Sequence, residues 1–208
     1  SSQFITGLLF AAPLLNQDCS IHLIGKRVSQ PYLDITVDVL RQFGIQIKET
    51  ESGYLIPGGQ EYQACDSFVE GDFSNAAFFL CAGAIGNDPV ILTGLNLQSY
   101  QGDREVISIL KRFGARISEE GSQIQVCGGT LHGITIDAEN IPDLVPVLSV
   151  VAAYADGKTE IKNAGRLRIK ECDRLRAVRE FLSQFGTKVL EYPDRLVIYG
   201  SGGIPLKG

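Results

Sequence analysis

Three Phe-Gly pairs, ending at Gly44, Gly114 and Gly186, recur at intervals of about 70 residues, and the sequence around each lines up with the other two. Residues 32–44, 104–114 and 174–186 each carry apolar side chains at helical spacing, as in Val106, Ile109, Leu110 and Phe113. Each run stops at its glycine, the residue best suited to the left-handed position that closes a helix. A short alternating stretch follows every time, at 45–48, 115–118 and 187–190. A turn and a second stretch come next, at 53–56, 123–127 and 195–199. Glu120-Gly121-Ser122 and Tyr192-Pro193-Asp194 read as hairpin turns between such stretches.

A further segment precedes each copy, at 3–15, 74–84 and 144–155. These are apolar nearly all round, so they are expected to be helices buried on every side. Strand-like pieces at 21–24, 90–93 and 159–161 link the two helices of each copy. The expected unit is therefore β-α-β-α-β-β. The expected fold class is α/β (α+β), an inside-out α/β prism with buried helices and small sheets outside. A period near 70 residues is too long for a solenoid repeat. An ordinary α+β domain whose repeats record only duplication is the alternative.

Composition narrows the function classes. Hydrophobic residues make up 44% and charged residues 21%, enough apolar material for a real core. The net charge of -5 and the lack of a basic run argue against a nucleic-acid surface. No apolar run is long enough to span a bilayer, and the stretch 4–15 lacks the positive flank of a signal peptide. A cytoplasmic location and no membrane partner are the expectation. The five cysteines, Cys19, Cys65, Cys81, Cys127 and Cys172, show no C-x-x-C spacing. Buried or semi-buried free thiols are expected, with no disulfide framework and no metal site. The two histidines, His22 and His132, sit in no suggestive context and are expected to be structural. Acid and base work then falls to Asp, Glu or Lys. The chain starts Ser-Ser-Gln-Phe and holds no methionine, so something upstream is expected to be missing.

Four polar clusters interrupt the repeat. Ser1-Ser2-Gln3 opens an apolar helix, where small hydroxyls and free amides favour an anion. Plain N-capping explains one serine but not both serines and a glutamine. Ser29-Gln30-Pro31-Tyr32, just after Lys26 and Arg27, opens another helix; capping and ligand binding compete evenly there. Asp143, after Ile141 and Pro142, opens a wholly apolar helix. It reads first as an N-cap, yet a carboxylate entering a buried bundle has its pKa moved, which is how a general base arises. In the run 166–174, Arg166, Arg168 and Lys170 would share one face and Glu171 the other if the backbone is extended. Such cations could converge on an anion, although charge runs are usually a solvated face. A helix is expected from about Asp173.

Together these clusters resemble the 5-enolpyruvylshikimate-3-phosphate synthase family. The resemblance rests on Ser1-Ser2-Gln3, on Ser29-x-Pro31-Tyr32-x-Asp34-Ile35-Thr36, on Glu70-Gly71-Asp72 and Gln101-Gly102-Asp103, on Ile141-Pro142-Asp143, and on Lys170-Glu171-x-Asp173-Arg174-Leu175. Each motif is weak alone; the ordered set is specific and covers essentially the whole chain. The resemblance implies two domains, each a threefold prism of the β-α-β-α-β-β unit. Residues 1–69 would be the closing part of the first domain and 70–208 most of the second, about half of a complete enzyme. It implies transfer of the enolpyruvyl group from phosphoenolpyruvate to the 5-hydroxyl of shikimate 3-phosphate, with no cofactor, by a monomer.

The roles it implies are these. Ser1, Ser2, Gln3, Ser29 and Tyr32 would bind shikimate 3-phosphate, the two serines holding its phosphate. Asp143 would be the catalytic base. Lys170 would bind the acceptor and steady charge, and Glu171 would move protons at the phosphoenolpyruvate methylene. Arg174, with Gln3, would bind phosphoenolpyruvate. Arg166 stands where many members carry an acceptor-binding asparagine, and Cys172 where serine or threonine is commoner, which reads as a packing substitution. The sister enzyme acting on UDP-N-acetylglucosamine and a non-catalytic domain of the same fold remain alternatives. The isolated chain is expected to be inactive, because the family's other basic phosphoenolpyruvate ligands lie outside it.

Overall fold

Gly44, Gly114 and Gly186 all take positive φ, at +80°, +108° and +79°. The N–H groups of Ile45, Ala115 and Thr187 each donate to a carbonyl five residues back, on Leu40, Leu110 and Leu182, at 3.0, 3.0 and 3.1 Å. That bond marks a Schellman closure, and it repeats in all three copies. At Gly114 glycine is required twice over: beyond its φ, a Cβ would stand 2.3 Å from the Thr130 carbonyl oxygen.

The computed structural model describes residues 2–25 and 30–204. The first copy comprises α1 (Ser2–Ala11), running on as a 3-10 turn over Ala12–Leu14, then β1 (Cys19–His22), α2 (Gln30–Gln42), β2 (Lys48–Thr50) and β3 (Gly53–Ile56). Its antiparallel sheet has the order β1-β3-β2. The second comprises α3 (Phe73–Ile85), β4 (Val90–Thr93), α4 (Val106–Phe113), β5 (Arg116–Glu120) and β6 (Gln123–Cys127), in the order β4-β6-β5. The third comprises β7 (Thr135–Asp137), α5 (Val145–Tyr154), β8 (Lys158–Lys162), α6 (Arg174–Gln184), β9 (Lys188–Tyr192) and β10 (Arg195–Tyr199), in the order β7-β8-β10-β9. Among the described residues only this copy has the leading strand of the unit, β7. It pairs parallel to β8, with Ile136 opposite Ile161.

These copies divide between two compact units, one of Ser1–Val69 with Tyr100–Gly102, the other of Glu70–Ser99 with Asp103–Gly208. In the second unit the two most apolar helices are its centre. Ala77 and Leu80 of α3, and Leu148, Val151 and Ala152 of α5, have no exposed surface. Burying a leucine such as Leu148 contributes roughly 2 kcal/mol. The sheets β4-β6-β5 and β7-β8-β10-β9 close over them through Ile124, Val126, Ile161, Leu196 and Ile198, which belong to the same core.

The first helix departs from the expected burial. Within α1 only Leu9 is buried, while Phe4 is 78% exposed. The cause is the number of neighbours. A helix apolar on all sides needs packing all round, and this unit supplies one helix, α2, and one sheet. Leu33, Val37 and Leu40 bury the inner face of α2. The cysteines are free, but Cys65 and Cys172 are exposed where burial was expected. Cys172 therefore fills no packing role. Burial pushes the Cys81 thiol up to about 12 and keeps it protonated.

Candidate active site

The N-terminal ends of α3, α5 and α6 carry the ionised groups of the second unit's core end. A helix start presents free N–H groups and a partial positive charge, which favours carboxylates and bound anions there. Asp72 caps α3, its Oδ1 accepting the Ser74 N–H at 2.9 Å and its Oδ2 an Asn75 amide N–H at 2.5 Å. Asp173 caps α6, accepting the Arg176 N–H at 3.1 Å. Asp143 lies in a 3-10 turn, Pro142–Leu144, that leads into α5. Its neighbours Ile141 and Leu144 are buried, so the turn is anchored on both sides of the carboxylate. No capping bond from a side chain forms at this helix, so the N-cap reading of Asp143 gives way to a different role.

That role is an ion-pair bridge. Arg174, the first residue of α6, donates Nη1–H to Asp143 Oδ1 at 2.5 Å and Nη2–H to Glu171 Oε2 at 2.7 Å. Its Nε–H reaches the same Glu171 oxygen at 3.2 Å. Burial works against the Arg174 charge, but the bonds to Asp143 and Glu171 win and hold it above its ordinary value. Glu171 is exposed; its own backbone N–H first, then Arg174, hold its carboxyl below the usual range. The neighbouring Lys170 charge, with its side chain half-buried, acts in the same direction. Asp143, Lys170, Glu171 and Arg174 are thus gathered at one place.

The run 165–169 is not extended. Gly165–Ile169 forms a 3-10 turn, so Arg166, Arg168 and Lys170 do not line one face of a strand. Leu167 is fully buried, and its N–H bonds to the Ala164 carbonyl at 3.0 Å. That anchor curls the backbone. Arg168 points its guanidinium at protein oxygens, not at open space. Arg166 is half-buried.

In the first unit, Ser2 and Gln3 stand in the first turn of α1, and Tyr32 in the first turn of α2. The two helices meet through the Thr6 and Thr36 hydroxyls, 2.9 Å apart. Ser1 and Ser29 lie outside the described residues. His22 bonds to Ser20 and Ser52 at 3.0 Å each on the face of β1. Among the described residues no group of three His, Cys, Asp or Glu side chains could hold a metal ion, and no helix is long and apolar enough to cross a membrane.

Asp103 is a functional-site neighbour that sequence reasoning did not single out beyond its motif. It is 3% exposed, and its Oδ2 accepts the Ser74 hydroxyl at 2.5 Å while Oδ1 is buried without a partner. Burial raises its carboxyl to about 6 against the lowering effect of Ser74, with Asp143, Asp72 and Glu105 adding to the rise. Above about pH 6 Asp103 is ionised in the folded and unfolded chains alike, and the full penalty of burying that charge applies. Below about pH 4 it is neutral in both, and the penalty vanishes. Stability from this group therefore falls as pH rises between those limits, by roughly 2–4 kcal/mol. Asp103→Asn, whose carbonyl still accepts from Ser74, is expected to be near neutral at pH 4 and stabilising by about 1–3 kcal/mol at pH 7. Urea melts at the two pH values check this; a difference that does not change with pH would show that the carboxyl's charge is not what costs stability.

A cleft of about 770 Å³ lies at the other ends of the helices, lined by Ala84 and Ile85 of α3, Tyr154 of α5, and Gly128, Gly129 and Arg116. None of the gathered acid and base residues faces it.

Comparison with known proteins bears on the fold and the family of this chain. A family-level match to EPSP synthase (3-phosphoshikimate 1-carboxyvinyltransferase) covers residues 1–207. A 3-phosphoshikimate 1-carboxyvinyltransferase of Clostridioides difficile (strain 630) is 48% identical over 98% of this chain, and one of Methanocaldococcus jannaschii is 43% identical over 96%. The chain spans about half the length of these relatives, 48% and 47%. A solved EPSP synthase from Acinetobacter baumannii superposes with a TM-score of 0.84 at 28% identity, covering 97% of this chain and 47% of that one. The enolpyruvyl transferase NikO from Streptomyces tendae, at 20% identity and a TM-score of 0.69, shares the fold. Its repeats, its inside-out α/β architecture and its whole-length match place this chain in the 5-enolpyruvylshikimate-3-phosphate synthase family.

Proposed function

We propose that a protein of the relatives' length carrying this chain transfers the enolpyruvyl group of phosphoenolpyruvate to the 5-hydroxyl of shikimate 3-phosphate and releases phosphate. This is the shikimate-pathway step toward chorismate and the aromatic amino acids. In this reading the protein is a cytoplasmic monomer with small-molecule substrates. Residues 1–69 close its first domain, and 70–208 form most of its second.

The observation that carries the reading is the Asp143–Arg174–Glu171 bridge beside Lys170, at the starts of α5 and α6. The reaction adds the acceptor oxygen to the central carbon of phosphoenolpyruvate while its methylene takes a proton. It then expels phosphate as that proton leaves again. It therefore requires a base at the hydroxyl, a proton carrier at the methylene, and cations for the phosphate and carboxylate. Asp143 takes the hydroxyl proton, Glu171 serves the methylene, Lys170 steadies the acceptor and the developing charge, and Arg174 holds phosphoenolpyruvate. Gln3 is assigned to phosphoenolpyruvate as well. Ser1, Ser2, Gln3, Ser29 and Tyr32 bind shikimate 3-phosphate, and Arg166 is a further candidate ligand for it.

The bridge also suggests how the site is set. An anion arriving at Arg174 competes with the two carboxylates for its N–H groups. Glu171, whose carboxyl its own backbone N–H and then Arg174 hold below the usual range, becomes a stronger base as it loses the guanidinium.

The test is phosphate release from phosphoenolpyruvate by the full-length protein, with shikimate 3-phosphate or UDP-N-acetylglucosamine as acceptor. Release only with shikimate 3-phosphate is the expected result. Release only with the UDP-sugar, or with neither, would overturn the reading. The 208-residue chain alone is expected to release none, since it supplies about half of the relatives' length.

A further inference from the structure

Arg168 spends every nitrogen of its guanidinium on protein oxygens. Nη1 donates to Asp173 Oδ2 at 2.7 Å and to Glu191 Oε1 at 2.8 Å. Nη2 donates to the Tyr192 carbonyl at 2.6 Å, and Nε to the Pro193 carbonyl at 2.8 Å. One side chain thus ties the 3-10 turn to the cap of α6, to strand β9 and to the β9–β10 turn. The second oxygen of Glu191 holds Arg179 of α6 at 2.7 Å, so the strand end is itself fixed to the helix. The second oxygen of Asp173 caps α6.

Between Arg168 and Asp173 lie four residues, including Lys170 and Glu171, and Arg174 follows directly. The ion pair closes this loop on itself. Its path is therefore set by Arg168 at one end and by the helix start at the other. The backbone just before the 3-10 turn is tied to the β9–β10 turn as well, the Ala164 N–H donating to the Asp194 carbonyl at 2.8 Å. Isolated surface ion pairs contribute little to stability, but a planar fork with four acceptors fixes direction as well as distance. Placement errors near 1 Å can cost about 100-fold in a reaction rate.

We propose that Arg168 is a positioning residue, which sets the loop bearing Lys170 and Glu171 and through it the Arg174 bridge to Asp143. This rests on the functional reading above only for its kinetic consequence; the geometric claim stands apart from it. Arg168 touches no substrate in this scheme, since four of its five N–H donors are taken by protein oxygens.

Two measurements test it. In the 208-residue chain, nitrogen-15 spectra of the arginine Nε–H groups report the Arg174 bond to Glu171 directly. Arg168→Lys keeps the charge and loses the fork; it is expected to move or broaden the Arg174 Nε–H signal while amide signals of α3 and α5 stay in place. Arg179→Lys, which removes the other partner of Glu191, is expected to leave the Arg174 signal alone. An Arg174 signal unchanged in Arg168→Lys, or moved equally in Arg179→Lys, would overturn the proposal. Should Arg168→Lys fail to fold, Asp173→Asn keeps the cap and removes the charge of the pair, and the same criterion decides. In the full-length protein, Arg168→Lys is expected to lower kcat by about 10-fold or more and to raise KM for phosphoenolpyruvate, with Arg179→Lys near wild type. An active wild type with kcat and KM unchanged in Arg168→Lys also overturns it. A wild type that releases no phosphate refutes the functional reading instead, and the spectra still decide the geometry.

Discussion

Asp143→Asn is expected to lower kcat for phosphate release by the full-length protein about 10³-fold, with KM for phosphoenolpyruvate changed by less than a few fold. The asymmetry comes from what the substitution leaves in place. Asparagine keeps the shape of the side chain and an oxygen that can accept from Arg174 Nη1, now 2.5 Å from the carboxylate. It loses the ability to take a proton. Ile141 and Leu144 remain buried, and Pro142 still opens the turn, so the backbone path into α5 is unchanged. A mutant that lost activity through disorder would also melt early. Here the pair is partly solvated, with side chains 31% and 22% exposed, and the expected loss of stability is only about 1 kcal/mol. A kcat within 10-fold of wild type would remove Asp143 as the base. A loss confined to KM would make it a binding residue.

The repeat was legible in the sequence because what specifies it is local. Helix periodicity, a glycine stop and an alternating strand all fall within about 25 residues, and the Leu40–Ile45, Leu110–Ala115 and Leu182–Thr187 closures follow from them. The short strand β7 gave no such signal, since only Ile136 of its three residues is buried. The 166–174 run was misread for an instructive reason. Its charges alternate as on a strand, but Leu167 must be buried and Arg168 finds three of its four acceptors on a hairpin more than 20 residues away. Pairing over that distance leaves no periodic trace. Asp103 shows the same limit. Its motif was visible, whereas its burial depends on Ser74 of another helix. The apolar pattern of α1 was read correctly as helical, but how much of it would be covered depends on neighbours that a local pattern does not count. At the site, the sequence brought Asp143 and the 170–174 group forward as separate candidates. That one guanidinium links them is a fact of the fold.

Arg174→Gln is expected to produce the second large effect, a fall in kcat/KM for phosphoenolpyruvate of about 10²–10³-fold, most of it in KM. Glutamine keeps a similar length and can donate to one carboxylate at most. It cannot reproduce the three N–H contacts that Arg174 makes with Asp143 and Glu171, nor offer a positive charge to an incoming anion. The loss should appear in binding because Arg174 is assigned to hold the donor and not to move a proton. Glu171 supplies an independent readout. Its carboxyl is held low by its own backbone N–H first and by Arg174 second. Removing Arg174 should therefore raise the Glu171 titration point but leave it short of the ordinary value, because the backbone bond survives. Carbon-13 spectra of the labelled glutamate carboxyls measure this in the 208-residue chain without any substrate. A Glu171 titration that does not move would mean that the guanidinium and the carboxylate are not paired in solution. The KM effect would then need another cause.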